Sequence, residues 1–468
     1  MPFSQKIRTM KKHIQQLFLI IFVMQVGCRK FIDIPAPETQ IIRNTVFDSD
    51  NTANAAMLSI LSQLEVEFFL NEITTVTSLS SDEFKNYSTG QENIQIYTNA
   101  ILPANGRNLG IWSQAYSLIY QCNAIMEGAN ASKKLSSQLK NQIQGEAKFL
   151  RAYLYFYLTN LYGDVPLVTE TDYQINKKLS RLSSDTIYKY IVQDLVDARN
   201  LLTTSYKDAN GIDDSDRRIR PNKLAAAALL ARVHLYTKDY DKAETLSNDV
   251  INSNTYILEP DIDKVFLIDN KEEILQISNE DIFNTTDGYN FVLTARPGAQ
   301  SIDPNFVHAF DKNDKRLLNW IGTYIEGTDT FYFPNKYKIQ YASTQQESLS
   351  ILRLSEQYLI RSEARIMQGN LSGGETDLNI VRQRAGLPPA NFNSSAQALA
   401  LLIQERRNEL FVENGHRWLD LKRTGTVDDF MKLQTPSKGG TWKTSAQLYP
   451  IPQSERSKDP ELSQNPGY

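Results

Sequence analysis

Apolar residues recur three and four positions apart over most of this chain, and that spacing predicts long amphipathic helices. One run covers 51–71. A second covers 108–128, with Ile111, Trp112, Ala115, Leu118, Ile119, Cys122 and Ile125 on one stripe. A third runs from Ser136 to Tyr162 through Ile143, Ala147, Leu150, Leu154, Tyr157, Leu158 and Leu161. It stops at Gly163-Asp164-Val165-Pro166, where Gly and then Pro follow the last periodic residue. Ser184 to Leu202 reads as a fourth, capped by Ser183 or Ser184. In 221–252 Pro221 suits a first helical turn, and the small residues Ala225 to Ala228 and Ala231 permit close helix contact. Ala231 and Ala243 lie twelve apart across a short polar break, the spacing of a tetratricopeptide helix–turn–helix. A second such unit is expected at 355–386, where Ala364 and Asp377 bracket Gly369-Asn370.

These units are unevenly spaced, so the pattern predicts a mostly α protein with a few helix pairs and long irregular insertions. The insertions fall at about 72–107, 203–220 and 253–350. The last holds minor β, with β-prone stretches at Glu273 to Ile277 and Phe291 to Thr294. Insertions of this length inside a packed protein usually carry function.

The N-terminus changes the picture from a plain helical protein to an exported one. Lys6, Arg8, Lys11 and Lys12 precede the apolar run Leu17 to Met24, which is too short to span a bilayer but fits a signal-peptide core. Gln25-Val26-Gly27-Cys28 follows and resembles a lipobox, with Gln25 where such boxes usually carry Leu. Residues 1–27 are therefore expected to be a lipoprotein signal peptide, and Cys28 the lipidated first residue of the mature chain. Several acyl chains, palmitate among them, give stable tethering without a spanning helix. Residues 29–50 then read as an extended stalk.

Composition narrows the function classes. The net charge of −4 includes four basic and no acidic residues before Cys28, so the mature chain is more acidic still, which disfavours nucleic acid. With two cysteines, Cys28 and Cys122, no disulfide framework is available, and Cys122 reads as a buried thiol. No two glycines stand two apart, so dinucleotide and kinase glycine loops are absent, as are the Gly-x-Ser-x-Gly elbow and the phosphate loop. The four histidines do not reach metal-ligand spacing. No cofactor or metal is expected, and no enzyme activity.

Three stretches, taken in order, carry a resemblance. They are Gly145 to Leu167 (GEAKFLRAYLYFYLTNLYGDVPL), Glu405 to Arg423 (ERRNELFVENGHRWLDLKR), and Tyr449-Pro450-Ile451-Pro452 with the terminal Asn465-Pro466-Gly467-Tyr468. Together they resemble the SusD/RagB family of outer-membrane nutrient-uptake lipoproteins. Physically these stretches read as scaffold. Glu405, Glu409 and Glu413 repeat every four residues; Glu409 and Glu413 could form an acid/base cluster with His416, but an ion-pair network is the reading adopted, with Glu413 and Arg417 as an i,i+4 pair. Arg151 is read as pairing with Glu146. The resemblance implies a SusD-like fold with tetratricopeptide-like helix pairs, an N-terminal region over 28–215 and a C-terminal region over 216–468, packed as one unit. It also implies a non-catalytic lipoprotein on the outer face of the outer membrane. Such a protein binds glycan oligosaccharides, or peptides in some members, and delivers them to a SusC-like TonB-dependent transporter. A protein-binding tetratricopeptide-like scaffold of the cell envelope and a secreted glycoside hydrolase are the alternatives.

Sugar recognition needs flat aromatic faces and fixed polar groups. In 79–107 the candidates are Asp82, Glu83, Tyr87 and Arg107. In 283–340 they are Tyr289, Asn290, Trp320, Tyr324 and Tyr332, with Trp320 the first choice. Trp112 follows helical spacing and is assigned to the core.

Overall fold

The computed structural model describes residues 43–66, 69–277, 284–342 and 344–468. The signal segment and Cys28 lie outside the described residues, as does most of the stalk. Contacts divide the chain into Met1–Val46 and Phe47–Tyr468. The first unit contributes one described element, the short helix Arg43–Val46. Everything below concerns the second.

The expected helices form, because each stripe finds a partner. Residues 51–71 and the turn beyond become two helices, Asp50–Val66 and Phe69–Ser80. Gly106–Ala131 and Ser137–Tyr162 follow, the latter ended by Gly163 at φ +74°, a conformation glycine adopts without strain. Ser183 caps Ser184–Leu201 by accepting from the Thr186 amide. Lys223–Tyr236 is capped by Asn222, so Pro221 lies before the helix and not in its first turn. Its alanines are fully buried, and Tyr240–Ile251 packs against it. Leu354–Met367 and Leu371–Arg384 make the second pair.

The two helix pairs are separated by about a hundred residues in sequence but are neighbours in space. Tyr240–Ile251 packs directly on Leu354–Met367, and Ser395–Glu409 continues the array. The insertion leaves and re-enters through one antiparallel ladder, Glu273–Ile277 with Leu349–Arg353, which closes its neck. Phe291 to Thr294, read as β-prone, is instead the end of the helix Thr286–Phe291 and the loop after it; Thr285 caps that helix by accepting from Gly288 N.

Guanidinium–carboxylate pairs tie the helices together beneath the surface. Arg220 is bidentate to Glu146 at 2.7 Å, and Arg232 to Glu356 at 2.6 and 2.7 Å, which bridges the two helix pairs. Arg151 pairs with Asp194 and not with Glu146. Positions 146 and 151 are five apart along the helix, which turns their side chains to different faces. The C-terminal segment closes the array: Tyr449 N donates to the Leu161 carbonyl and Asn465 Nδ2 to the Tyr162 carbonyl.

Candidate functional site

The insertions at 72–107 and 253–350 together build a four-stranded antiparallel sheet in the order Phe84–Asn86, Gln300–Ile302, Asp329–Pro334, Ile321–Glu326. Its last two strands form a hairpin around Gly327, at φ +61°, and Thr328; glycine at the first position of a two-residue turn suits the twist of such a hairpin. Side chains alternate between faces, so Tyr324 and its cross-strand partner Phe331 share one. Tyr87 reaches the same face from beyond the first strand, its ring meeting Phe331 edge-on at 5.7 Å. Arg296 lies over Phe331 at 5.1 Å and is held there by Glu326 and Asp329, each at 3.1 Å. On the opposite face Tyr332 meets the exposed His308. Tyr87, Tyr324 and Tyr332 are all half-buried, so each has ring surface left for a ligand.

A second aromatic pair stands on the later of these insertions. Tyr289 and Tyr341 meet edge-on at 5.6 Å and are 36% and 59% exposed. Asn290 donates to Asn71, which in turn donates to the buried Asp287. Burial raises the Asp287 carboxyl to about 7, partly opposed by the Asn71 hydrogen bond.

The other expected ligand residues have different roles. Trp320 is 0% exposed. Its Nε1 donates to the Ile262 carbonyl at 3.0 Å, and its ring, with Phe266 and Phe411, encloses the Lys336 ammonium. Trp320 is core, not platform: the chain around it looks irregular, yet its neighbours come from distant segments. Asp82 is buried between Arg407 and Arg417. Burial disfavours its charge, but the two guanidiniums prevail and hold it at about 2. Arg107 is bidentate to Glu72 and also donates to Asn93. Glu83 accepts from Ser78 and from Val412 N, and burial raises it to about 7. Of the expected residues, then, the sheet brings Tyr87 and Tyr324 together, while Asp82 and Arg107 anchor the loop that delivers Tyr87. Phe331 and Arg296 were missed. The alternation in Ile321–Glu326 and Asp329–Pro334 around Gly327 was the signal that could have found the hairpin.

The glutamates of 405–423 form a buried ion network. Glu409 accepts from Arg353 at 2.5 Å, from Arg384, and from Arg316 at 3.0 Å. Burial opposes its charge, yet these guanidiniums hold its carboxyl well below the usual range. Glu413 accepts from Arg353 and Lys336, so it is not the partner of Arg417, which goes to Asp82. The helix ends at Glu409, and Val412, Asn414 and Gly415 take positive φ, which breaks the i,i+4 geometry. His416 is buried; burial, with Arg232 and Arg406 near, lowers it to about 3, so it is neutral at pH 7. No member of this cluster reaches solvent, and its carboxylates are committed to cations. Among the described residues no group of three His, Cys, Asp or Glu side chains could hold a metal ion.

Residues 30–235 match a family described as "Starch-binding associating with outer membrane", and residues 324–468 match the SusD family. The chain belongs to the SusD/RagB family. A relative in Formosa agariphila, SusD-like protein P38, is 23% identical over 90% of this chain and 93% of its own. A SusD superfamily crystal structure from Bacteroides vulgatus superposes with a TM-score of 0.80 at 20% identity, over 91% of this chain and all of that one. Surface glycan-binding protein A from Bacteroides thetaiotaomicron, solved with laminarihexaose, gives 0.75 at 20%, covering 89% of this chain and 99% of that one. The SusD fold is thus shared across nearly the whole described chain. No described helix is long and apolar enough to cross a membrane.

Proposed function

We propose that this SusD-family protein captures glycan oligosaccharides on the outer face of the outer membrane and hands them to a SusC-type TonB-dependent transporter without cleaving them. Acylation at Cys28 tethers it there. The aromatic face of Tyr87 and Tyr324, built over the buried Phe331, carries the reading, because the two half-buried tyrosines present ring surface beside charged groups already fixed in place. Tyr289, with Tyr341, offers a second platform on the same insertion. Glu405, Glu409 and Glu413 are committed to buried cations, so that cluster offers no free acid/base pair for hydrolysis.

The test is calorimetric titration of the chain from Arg29 onward against a panel headed by laminarihexaose and including peptides, with each mixture assayed for products. Saturable glycan binding without products is the expected result. Products would replace capture with catalysis. Binding of peptides alone would move the protein to the peptide-capturing members of the family. Binding of neither, with capture of a protein partner instead, would favour the envelope scaffold.

A further inference from the structure

We propose that a cavity over the helix Ser137–Tyr162 is a second sugar site, built for one neutral hexose unit. This helix packs between Gly106–Ala131 and Ser184–Leu201, and the cavity lies along the trough they form. It measures about 560 Å³, within the range of small-molecule sites. None of its lining residues comes from the insertions at 72–107 and 253–350, so it is separate from the aromatic face and does not depend on it.

A sugar site needs an apolar ring surface together with polar groups that are held in place and still have bonding capacity. Tyr190 supplies the surface, standing on the cavity wall 46% exposed. The polar groups hold one another. Gln144 Nε2 donates to Asn130 Oδ1 at 2.6 Å, which leaves the Gln144 carbonyl to accept and the Asn130 amide nitrogen to donate. Gln193 Nε2 donates to Asp197 at 2.7 Å, and its carbonyl too is left to accept. Lys148 gives two of its three N–H groups to Asp194 and Asp197. Arg151 gives three of its five, two to Asp194 and one to Asn123. At the end of the cavity Glu127 accepts from the Thr171 amide and hydroxyl, which fixes the loop through Thr169.

Charge and bonding select the ligand. Lys148 and Arg151 are offset by Asp194 and Asp197, and Glu127 adds one negative charge. A sugar acid would therefore meet net negative charge. An amino sugar would find the carboxylates already committed. Sugar hydroxyls both donate and accept, which matches the mixture of donors and acceptors left over here. One exposed ring covers one pyranose face, so the site takes a single unit, free or at the end of a chain.

The test is saturation-transfer NMR titration of the chain from Arg29 onward carrying Tyr87→Ala and Tyr324→Ala, which silences the aromatic face. The probes are glucose, galactose, mannose, glucuronate and glucosamine. At least one neutral hexose should bind saturably, and more tightly than either charged sugar. Adding Tyr190→Ala should weaken that binding about tenfold through the lost ring surface, with the thermal midpoint unchanged because the ring is exposed. Gln144→Leu should weaken it to a similar degree. Failure of laminarihexaose to bind the wild type would count against the aromatic face alone, since this titration never uses that face. The proposal is overturned if no neutral hexose binds, if a charged sugar binds as tightly as the best of the three, or if either added variant keeps full affinity. If Tyr190→Ala does not fold, undiminished affinity in Gln144→Leu overturns it alone.

Discussion

Glu409→Gln removes one charge from the centre of the buried network while nearly preserving shape. In the wild type, one Glu409 oxygen accepts from Arg353 and Arg384 and the other from Arg316. A glutamine cannot accept at both positions, and its amide nitrogen would face a guanidinium. Asp314, Glu405, Glu272 and Glu413 remain to share the surrounding cations, so the network is weakened and not emptied. Breaking one partner of a buried ion pair costs about 3–5 kcal/mol. The unfolding entropy of a unit this long is roughly 0.9 kcal/mol per kelvin. The midpoint should therefore fall by about 3–6 °C, read by circular dichroism at pH 7. Glycan binding measured well below the midpoint should not change, because the network is sealed from the aromatic face. A midpoint within about 1 °C of wild type would refute this account of the network, and loss of glycan binding with an unchanged midpoint would restore the acid/base reading of Glu409.

Three further perturbations bear on buried groups. Trp320→Ala should destabilise by about 3–5 kcal/mol and leave glycan affinity intact, since its ring packs inside and its indole N–H is already used; reduced affinity at unchanged stability would return it to the ligand site. Glu83 titrates near 7 when folded, against 4.5 for the free group, so between those values the folded state keeps a proton that the unfolded state loses. Stability should fall as pH rises through that window, by ~3 kcal/mol at about 1.4 kcal/mol per unit, and level off above 7. Asp287 acts in the same direction, so Glu83→Gln should flatten the midpoint-versus-pH curve by about half; an unchanged curve would contradict the assignment. Cys122 is fully buried and its thiol is pushed up to about 12, so it should resist iodoacetamide in the folded chain and react on unfolding; rapid alkylation of the folded chain would refute its burial.

The helices were legible in the sequence because their packing faces repeat at the period of the backbone itself. Gly163 and Ser183 marked ends that the structure keeps. Continuity of the helical array was not legible, since Tyr240–Ile251 and Leu354–Met367 meet across an insertion that leaves no periodic trace. Trp320 misled for a related reason. A tryptophan in irregular chain looks available until Ile262, Phe266 and Lys336 are seen to close over it. Glu413 was misassigned because the left-handed residues Val412 and Asn414 carry no sequence signal as strong as a glycine, and they swing its carboxylate away from Arg417. Two of the three rings of the aromatic face were legible: Tyr87 and Tyr324 were named, but the hairpin register that sets Phe331 beside them was not read.

The central claim is that the sheet face around Tyr87 and Tyr324 holds a glycan. Its most direct test is the laminarihexaose titration repeated on the Tyr87→Ala, Tyr324→Ala double variant. Each half-buried ring should contribute about a factor of ten through the apolar surface it covers, so affinity should fall roughly a hundredfold with the thermal midpoint little changed. Wild-type affinity in the double variant would contradict the claim.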